Sequence, residues 1–211
     1  PPRAEYLRVI MMELNRIASH LVWMGTFAID LGAFSPFLYA WREREAILEL
    51  FEMATGGRMT FNYFRIGGVK LDIPEGFLEK MDKFLSTFNQ RIDEYEAILT
   101  KNSIFIERTK GIGIIKQDRA LNFGVSGPNI RASGIEWDLR KSEAYSAYPE
   151  FDFDIPTGQN GDCFDRYTCR IKEMRESAKI LSQASKKIPS GEIITKLSPV
   201  IKPPQGEIYT H

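Results

Sequence analysis

The feature that most constrains this chain is the run HLVWMGTFAIDLGAFSPFLYAWRERE, from His20 to Glu45. It sets one acid, Asp30, at the break between two apolar segments of helical character. A carboxylate among apolar residues is costly to bury, so Asp30 is expected to be either a structural cap or a working proton carrier. Upstream, Leu7, Ile10, Met11, Leu14, Ile17, Ala18, Leu21 and Val22 recur at intervals of three and four, one apolar face of a helix. Pro2 stands where a helix can begin. Arg3, Glu5, Arg8, Glu13 and Arg16 are placed on the remaining polar face, and the helix is expected to end near Ile29. Gly32 supplies a C-terminal stop. Ser35-Pro36 restarts a helix with proline in its tolerated first turn. Phe37, Leu38, Trp41, Ile47, Leu48 and Phe51 are its apolar positions. Arg42-Glu43-Arg44-Glu45 reads as a solvated face laced by ion pairs, or as a network facing a partner subunit.

Gly56-Gly57 closes this second helix. Two arginines and an asparagine then stand among aromatics from Arg58 to Arg65, followed by Gly67-Gly68. That pattern points to a tightly packed turn whose glycines let backbone approach something closely. It is not a dinucleotide loop, because no strand–GxGxxG–helix unit surrounds it. Pro74 and Glu75 open a third helix that runs to about Leu99 on Phe77, Met81, Phe84, Leu85, Phe88, Ile92, Tyr95, Ile98 and Leu99. Gly111 to Ile115 reads as an extended connector, Lys116 to Phe123 as a short helix, and Gly124 to Gly134 as turns. Arg131, Asp138, Arg140 and Lys141 lie in and just after the turns, then an irregular aromatic stretch carries Tyr145, Tyr148, Phe151 and Phe153. A last long helix is expected from Asp162 to about Lys187, with Ile171, Met174, Ala178 and Leu181 inside.

The expected fold is therefore mainly α, a bundle of about four long helices with irregular connections and little strand. It occupies residues 1–188, and a proline-rich tail, 189–211, leads into what looks like a truncated strand. At 211 residues one domain with a sizeable core is expected. The chain opens without methionine, at Pro1-Pro2, which suggests a fragment or a processed product. Lys+Arg and Asp+Glu balance at 28 each, giving no support for a nucleic-acid partner. The apolar runs are too short and too broken by charge to span a bilayer, and no signal peptide is evident.

Cys163 and Cys169 match no metal spacing and are read as free thiols in a reducing compartment. With only His20 and His211 available, and no GxSxG elbow, hydrolase chemistry is poorly supported. Zinc lacks ligands as well. His20 and Asp30 lie about 15 Å apart along one helix face. They are placed to line one elongated pocket without touching, though His20 also suits a hydrogen-bonded place between two helices.

Several long segments together resemble one family: RAEYLRVIMMELNRIASHL, GTFAIDLGAFSPFLYAWREREAILELFE, TGGRMTFNYFRIGGV, RASGIEWDLRK and GDCFDRYTCRIKEMRES. They are similar to the quinone-site core subunit of NADH:quinone oxidoreductase, respiratory complex I, over nearly the whole chain to about Ile188. The resemblance implies a fold descended from nickel–iron hydrogenase large subunits. It implies packing against a small subunit that carries the terminal iron–sulfur cluster, with quinone reduced between the two and the step driving proton pumping in a distant membrane arm. NAD would be used elsewhere in the complex. This chain would bind no metal of its own, would touch other peripheral-arm and membrane-arm subunits, and would sit peripherally on the cytoplasmic face of the membrane or its organelle equivalent.

By the same resemblance Asp30 matches the proton-linked acid of the quinone pocket. Thr26, Phe37 and Leu38 match positions lining the chamber, with His20 on the same helix. Arg58 and Arg65 match residues near the cluster interface, where cations would stabilise a reduced cluster. Burial would raise the pKa of Asp30 and a nearby arginine would oppose it, so no sign is expected from sequence. Three departures bear on this. The family's headgroup-binding His and Tyr fall before Pro1, so quinone binding by this chain alone is expected to be poor. Thr60 stands where many ubiquinone enzymes carry His, which points to a low-potential quinone of the menaquinone or plastoquinone type. The family's β-rich C-terminal part is missing. The alternatives are a membrane-bound energy-converting nickel–iron hydrogenase large subunit and a helical scaffold with no reactive role.

Overall fold

A computed structural model describes residues 1–198, 200 and 202–209. The expected strand start in the tail falls partly on Thr210 and His211, which lie outside the described residues, as do Pro199 and Ile201. Among the described residues the chain is mainly helical. Four helices are long: α1 (Pro2–Asp30), α2 (Ser35–Thr55), α3 (Phe77–Tyr95) and α8 (Cys163–Lys187). Four are short: α4 (Ser103–Thr109), α5 (Gln117–Asn122), α6 (Gly127–Ala132) and α7 (Leu139–Ser142). One two-stranded hairpin pairs β1 (Phe64–Arg65) antiparallel to β2 (Gly68–Val69).

Helix α1 packs on α2 and α8, and α3 touches both of these. The expected apolar face of α1 is the core: Leu7, Ile10, Met11, Leu14, Ile17 and Leu21 are all buried. Each such side chain contributes about 1.5–3 kcal/mol relative to exposure. From α3, Phe77, Met81, Phe88, Ile92 and Tyr95 fill the same core, joined by Ile171, Met174 and Leu181 of α8. The expected stops operate. Gly32 and Gly56 take the left-handed conformation after α1 and α2. Asp162 caps α8 by accepting the Asp165 N–H at 2.8 Å.

Four local readings are corrected. Helix α3 begins at Phe77, not at Pro74, because Gly76 sits at a φ of 81°. It ends at Tyr95, after which Glu96–Thr100 form a π-helical turn, a wider winding that shifts the register of Ile98 and Leu99. The turn-rich segment after Gly124 contains helix α6, with Pro128 in its first turn. The Arg42–Glu45 run is not a uniformly solvated face: it holds the expected internal ion pair, but Glu43 is buried while Arg42 and Glu45 are exposed. Glu43 accepts from Arg42 at 2.6 Å and from the Tyr95 hydroxyl, clamping α2 to α3.

The glycine pair of the hairpin does bring backbones together. A Cβ on Gly68 would stand 2.0 Å from the carbonyl oxygen of Ile193. Val69 N–H donates to that oxygen at 3.0 Å, and Thr195 N–H donates to the Gly67 carbonyl at 2.9 Å. What approaches so closely is residues 193–195 of the same chain. The rest of the turn is less packed than expected, with Met59 and Ile66 about 70 % exposed (68 % and 70 %).

Candidate functional site

The elbow between α1 and α2 gathers four of the sequence candidates. Asp30 is the last residue of α1 and is exposed, not buried. Thr26, one turn earlier, is exposed, and its hydroxyl donates back to the Val22 and Trp23 carbonyls at 3.0 and 3.1 Å. Phe37 stacks on Trp41 with centroids 4.0 Å apart. It lies over Gly25, where a Cβ would meet Phe37 Cα at 3.2 Å, so glycine is what lets α2 fold back onto α1. Leu38 is 55 % exposed, beside the exposed Phe34, Ile29 and Tyr39. Arg108 reaches the same turn, its Nη1 donating to the Leu31 carbonyl at 2.9 Å, so the elbow presents a carboxylate, a guanidinium and several exposed apolar side chains.

Three further candidates lie at the other end of α2. The helix has 21 residues, so about 30 Å separates them from the elbow. Arg58 is held by Glu45 and Glu52. Thr60 is exposed next to Met59. Arg65 donates to Asn62 Oδ1 at 2.6 Å and to the Phe64 carbonyl at 2.7 Å.

His20 joins neither group. It is buried, and its Nε2 lies 2.8 Å from Glu173 Oε2 on α8. Burial pushes the His20 pKa down, and Glu173 only partly opposes this. The ring is therefore neutral, with Nε2–H donating to the carboxylate.

His20 opens onto a feature that sequence reasoning missed, a buried chain of charge linking α1, α6, α7 and α8. Arg131 bridges Glu173, 2.8 Å from its Nε, and Asp138, 3.7 Å from its Nη1. Arg140 grips Asp138 at 3.0 and 2.7 Å and both oxygens of Glu13 at 3.1 Å. Glu13 also accepts from Tyr148 and Ser177, each at 2.6 Å, with Arg16 at 3.5 Å. Burial raises the Glu13 carboxyl, but Arg16, Arg140 and these hydroxyls outweigh it and hold it below its usual range. Burial likewise raises Asp138, and Arg140 more than reverses this, to about 2. Three carboxylates (Glu13, Asp138, Glu173) face three arginines (Arg16, Arg131, Arg140), so with His20 neutral the network carries no net charge. That balance is what makes burial tolerable. A signal was present. Ile10, Glu13, Ile17 and His20 share one stripe at helical spacing, which puts Glu13 on the inner face of α1 and not on its polar face.

Among the described residues no group of three or more His, Cys, Asp or Glu side chains is arranged to hold a metal ion, and no helix is long and apolar enough to cross a membrane. Cys163 and Cys169 are both free thiols.

The family of the 49 kDa subunit of respiratory-chain NADH dehydrogenase matches residues 30–211. Similar curated proteins carry the name of one subunit of NADH-quinone oxidoreductase. The one from Dehalococcoides mccartyi is 53 % identical over 211 residues, all of this chain and 58 % of its own length. Those from Bacillus cereus and Bacillus mycoides are 51 % and 50 % identical over 210 residues, 99 % of this chain and 57 % of theirs. The chain thus spans under two thirds of the relatives' length. On the match over residues 30–211, the chain belongs to the family of the 49 kDa subunit of respiratory-chain NADH dehydrogenase.

Proposed function

We propose that this chain is part of the quinone-site subunit of an NADH:quinone oxidoreductase that couples quinone reduction to proton translocation. The observation that carries the reading is the elbow: an exposed carboxylate, Asp30, in a turn whose Ile29, Phe34, Leu38 and Tyr39 are also exposed, with the Arg108 guanidinium donating to the Leu31 carbonyl beside it. A lipophilic quinone suits that surface, and an ionisable group beside it suits a reaction that takes up protons. The relatives' names agree with this reading and do not favour the nickel–iron hydrogenase alternative.

Within the proposal Asp30 is the proton-linked acid, and Thr26, Phe37 and Leu38 line the chamber. His20, tied to Glu173, holds α1 against α8. The hairpin end of α2 faces a small partner subunit carrying the terminal iron–sulfur cluster. There Arg65, which has no carboxylate partner among the described residues, is better placed than the doubly paired Arg58 to stabilise a reduced cluster. Because elbow and hairpin are about 30 Å apart, they take separate tasks, the hairpin facing the electron donor and the elbow handling the proton. The fold is of the hydrogenase large-subunit type. The subunit lies peripherally on the cytoplasmic membrane face, between other peripheral-arm subunits and the membrane arm, and NAD is used elsewhere in the complex. Thr60 supplies no ionisable group beside the cluster, which fits a menaquinone- or plastoquinone-type acceptor. A cluster potential in the intact complex that shifts by about one proton per electron would count against that choice.

The test is Asp30→Asn in the intact complex. Quinone reduction is expected to fall severalfold while the complex stays assembled. Unchanged turnover in an intact complex would leave the chain a helical scaffold.

A further inference from the structure

Arginines in this molecule divide into two kinds. Most are neutralised: Arg131 and Arg140 each face two carboxylates, and Arg3, Arg8, Arg42, Arg58, Arg91 and Arg175 each have at least one. Arg44, Arg65, Arg108, Arg119, Arg166 and Arg170 have no ion pair among the described residues, and of these Arg166 and Arg170 stand one turn apart on α8, both half-buried. Arg166 donates only to the carbonyls of Gly161 and Gly113, at 2.7 and 2.8 Å, and to Cys163 Sγ at 3.1 Å. Arg170 donates to the Arg166 carbonyl at 2.8 Å and to Asn129 Oδ1 at 3.2 Å, and its guanidinium lies 4.3 Å from the centre of the Trp23 ring. Burial pulls the Arg170 pKa down and the charge of Glu173 only partly restores it, the reverse of Arg140, whose carboxylates hold it up.

Both guanidinium groups line one cavity of about 340 Å³, together with Asn129, Cys163, Trp23 and Phe27. No acidic side chain among the described residues lines it. The nearby Asp162 and Asp165 are turned onto backbone N–H groups of Gly111 and of Gln159 to Gly161. Two half-buried cations side by side in an open cavity, with no carboxylate in ion-pair contact, cost desolvation that their carbonyl and amide acceptors, the Trp23 ring and the more distant Glu173 offset only in part. A planar fork matches oxyanions, and two of them match a phosphate group better than a single carboxylate in charge and in number of acceptors. The indole and phenyl rings give one wall that an organic substituent would cover.

We infer that the cavity between α1, α6 and the N-terminal half of α8 binds a phosphate oxyanion against Arg166 and Arg170. The phosphate comes from a free phosphate ester or from a phospholipid headgroup. The inference is independent of the quinone reading.

Cys163 reports on the site, because it lines the cavity while Cys169, the other cysteine, is buried. The experiment follows alkylation of Cys163 in the full chain, with inorganic phosphate or dihexanoylphosphatidylglycerol as probe and chloride at matched ionic strength as control. Both phosphate probes are expected to slow alkylation where chloride does not. Asn129→Asp, which places a carboxylate beside Arg170, and Arg170→Gln are each expected to weaken protection about tenfold, the scale of one charge-assisted contact. Asn129→Asp adds the missing counter-charge and so tests the site even if Arg170→Gln fails to fold. Protection at about equal concentrations of the two probes identifies a free phosphate, and about tenfold tighter protection by the lipid identifies a headgroup. No protection, protection matched by chloride, or protection unchanged in Asn129→Asp overturns the inference. Protection by an acidic peptide but not by phosphate overturns it in favour of a protein partner.

Discussion

The buried network around Arg140 and the elbow around Asp30 handle charge in opposite ways. In the network, every carboxylate is met by arginine, with hydroxyls added at Glu13 and the His20 imidazole at Glu173, and Glu13, Glu173 and Arg140 are 0 to 2 % exposed. At the elbow, Asp30 stands on the surface among Phe34 and Leu38, which are 60 % and 55 % exposed. The network closes the fold on itself. The elbow is built by the fold but not used by it. The difference separates what this chain needs in order to stand from what it offers to something else.

The largest test of that contrast is Arg140→Leu. Removing the guanidinium leaves Glu13 and Asp138 buried without their main partner, and loss of one member of a buried charge set costs about 3–5 kcal/mol. For a chain of this size that lowers the melting temperature by about 10 °C. Arg58→Gln is the matched control, because its partners Glu45 and Glu52 are solvent-exposed. Its melting temperature is expected to be unchanged. Equal effects in thermal denaturation would erase the distinction between the two regions.

Much of this architecture is legible in the sequence. The four long helices follow from apolar spacing, and Gly32, Gly56 and Asp162 act at the expected helix ends, because caps and periodicity are local signals. The close backbone approach at Gly67-Gly68 is visible too, but not its partner. Ile193 lies over a hundred residues away, and nothing in a glycine pair names what will fill the space. The stripe of Ile10, Glu13, Ile17 and His20 marks Glu13 as inward-facing, but the partners that complete the network are hidden for the same reason. Glu13 meets Arg140 across 127 residues and His20 meets Glu173 across 153, and each alone looks like an ordinary charged helix residue. Glu43 misleads likewise, since the Tyr95 hydroxyl that makes its burial tolerable sits on another helix.

A smaller effect separates the network by pH. His20 is held neutral in the fold, its pKa pushed down by burial, whereas in the unfolded chain it titrates near about 6.5. Below that value the unfolded state binds the extra proton, so stability falls as pH drops and is complete above it. Glu13, Glu173 and Asp138 are all depressed, Asp138 to about 2. Their contribution is present above the ordinary carboxylate range, about 4, and is lost as pH falls through the folded values. Urea unfolding as a function of pH is expected to show a first decline beginning near about 6.5 and a steeper one below about 4.5. His20→Gln should abolish the first and keep the second. A first decline that survives the substitution would mean that the ring is not held neutral by its place between α1 and α8.

The smallest effect on stability is expected at the elbow, and it sharpens the comparison from the other side. Phe34→Ser with Leu38→Ser removes apolar surface that is already in water, so the fold should change by no more than about 0.5 kcal/mol. Association should respond far more. An exposed apolar patch that the chain does not cover promotes contact between copies. Sedimentation velocity of the parent chain is therefore expected to show self-association rising with concentration, and the double variant to remain monomeric further up the range. If the parent chain stays a clean monomer throughout, the elbow surface is not adhesive in water, and its exposure says nothing about a missing neighbour. If instead the double variant loses several kcal/mol, Phe34 and Leu38 belong to the core rather than to the surface, and the division drawn between network and elbow is in the wrong place.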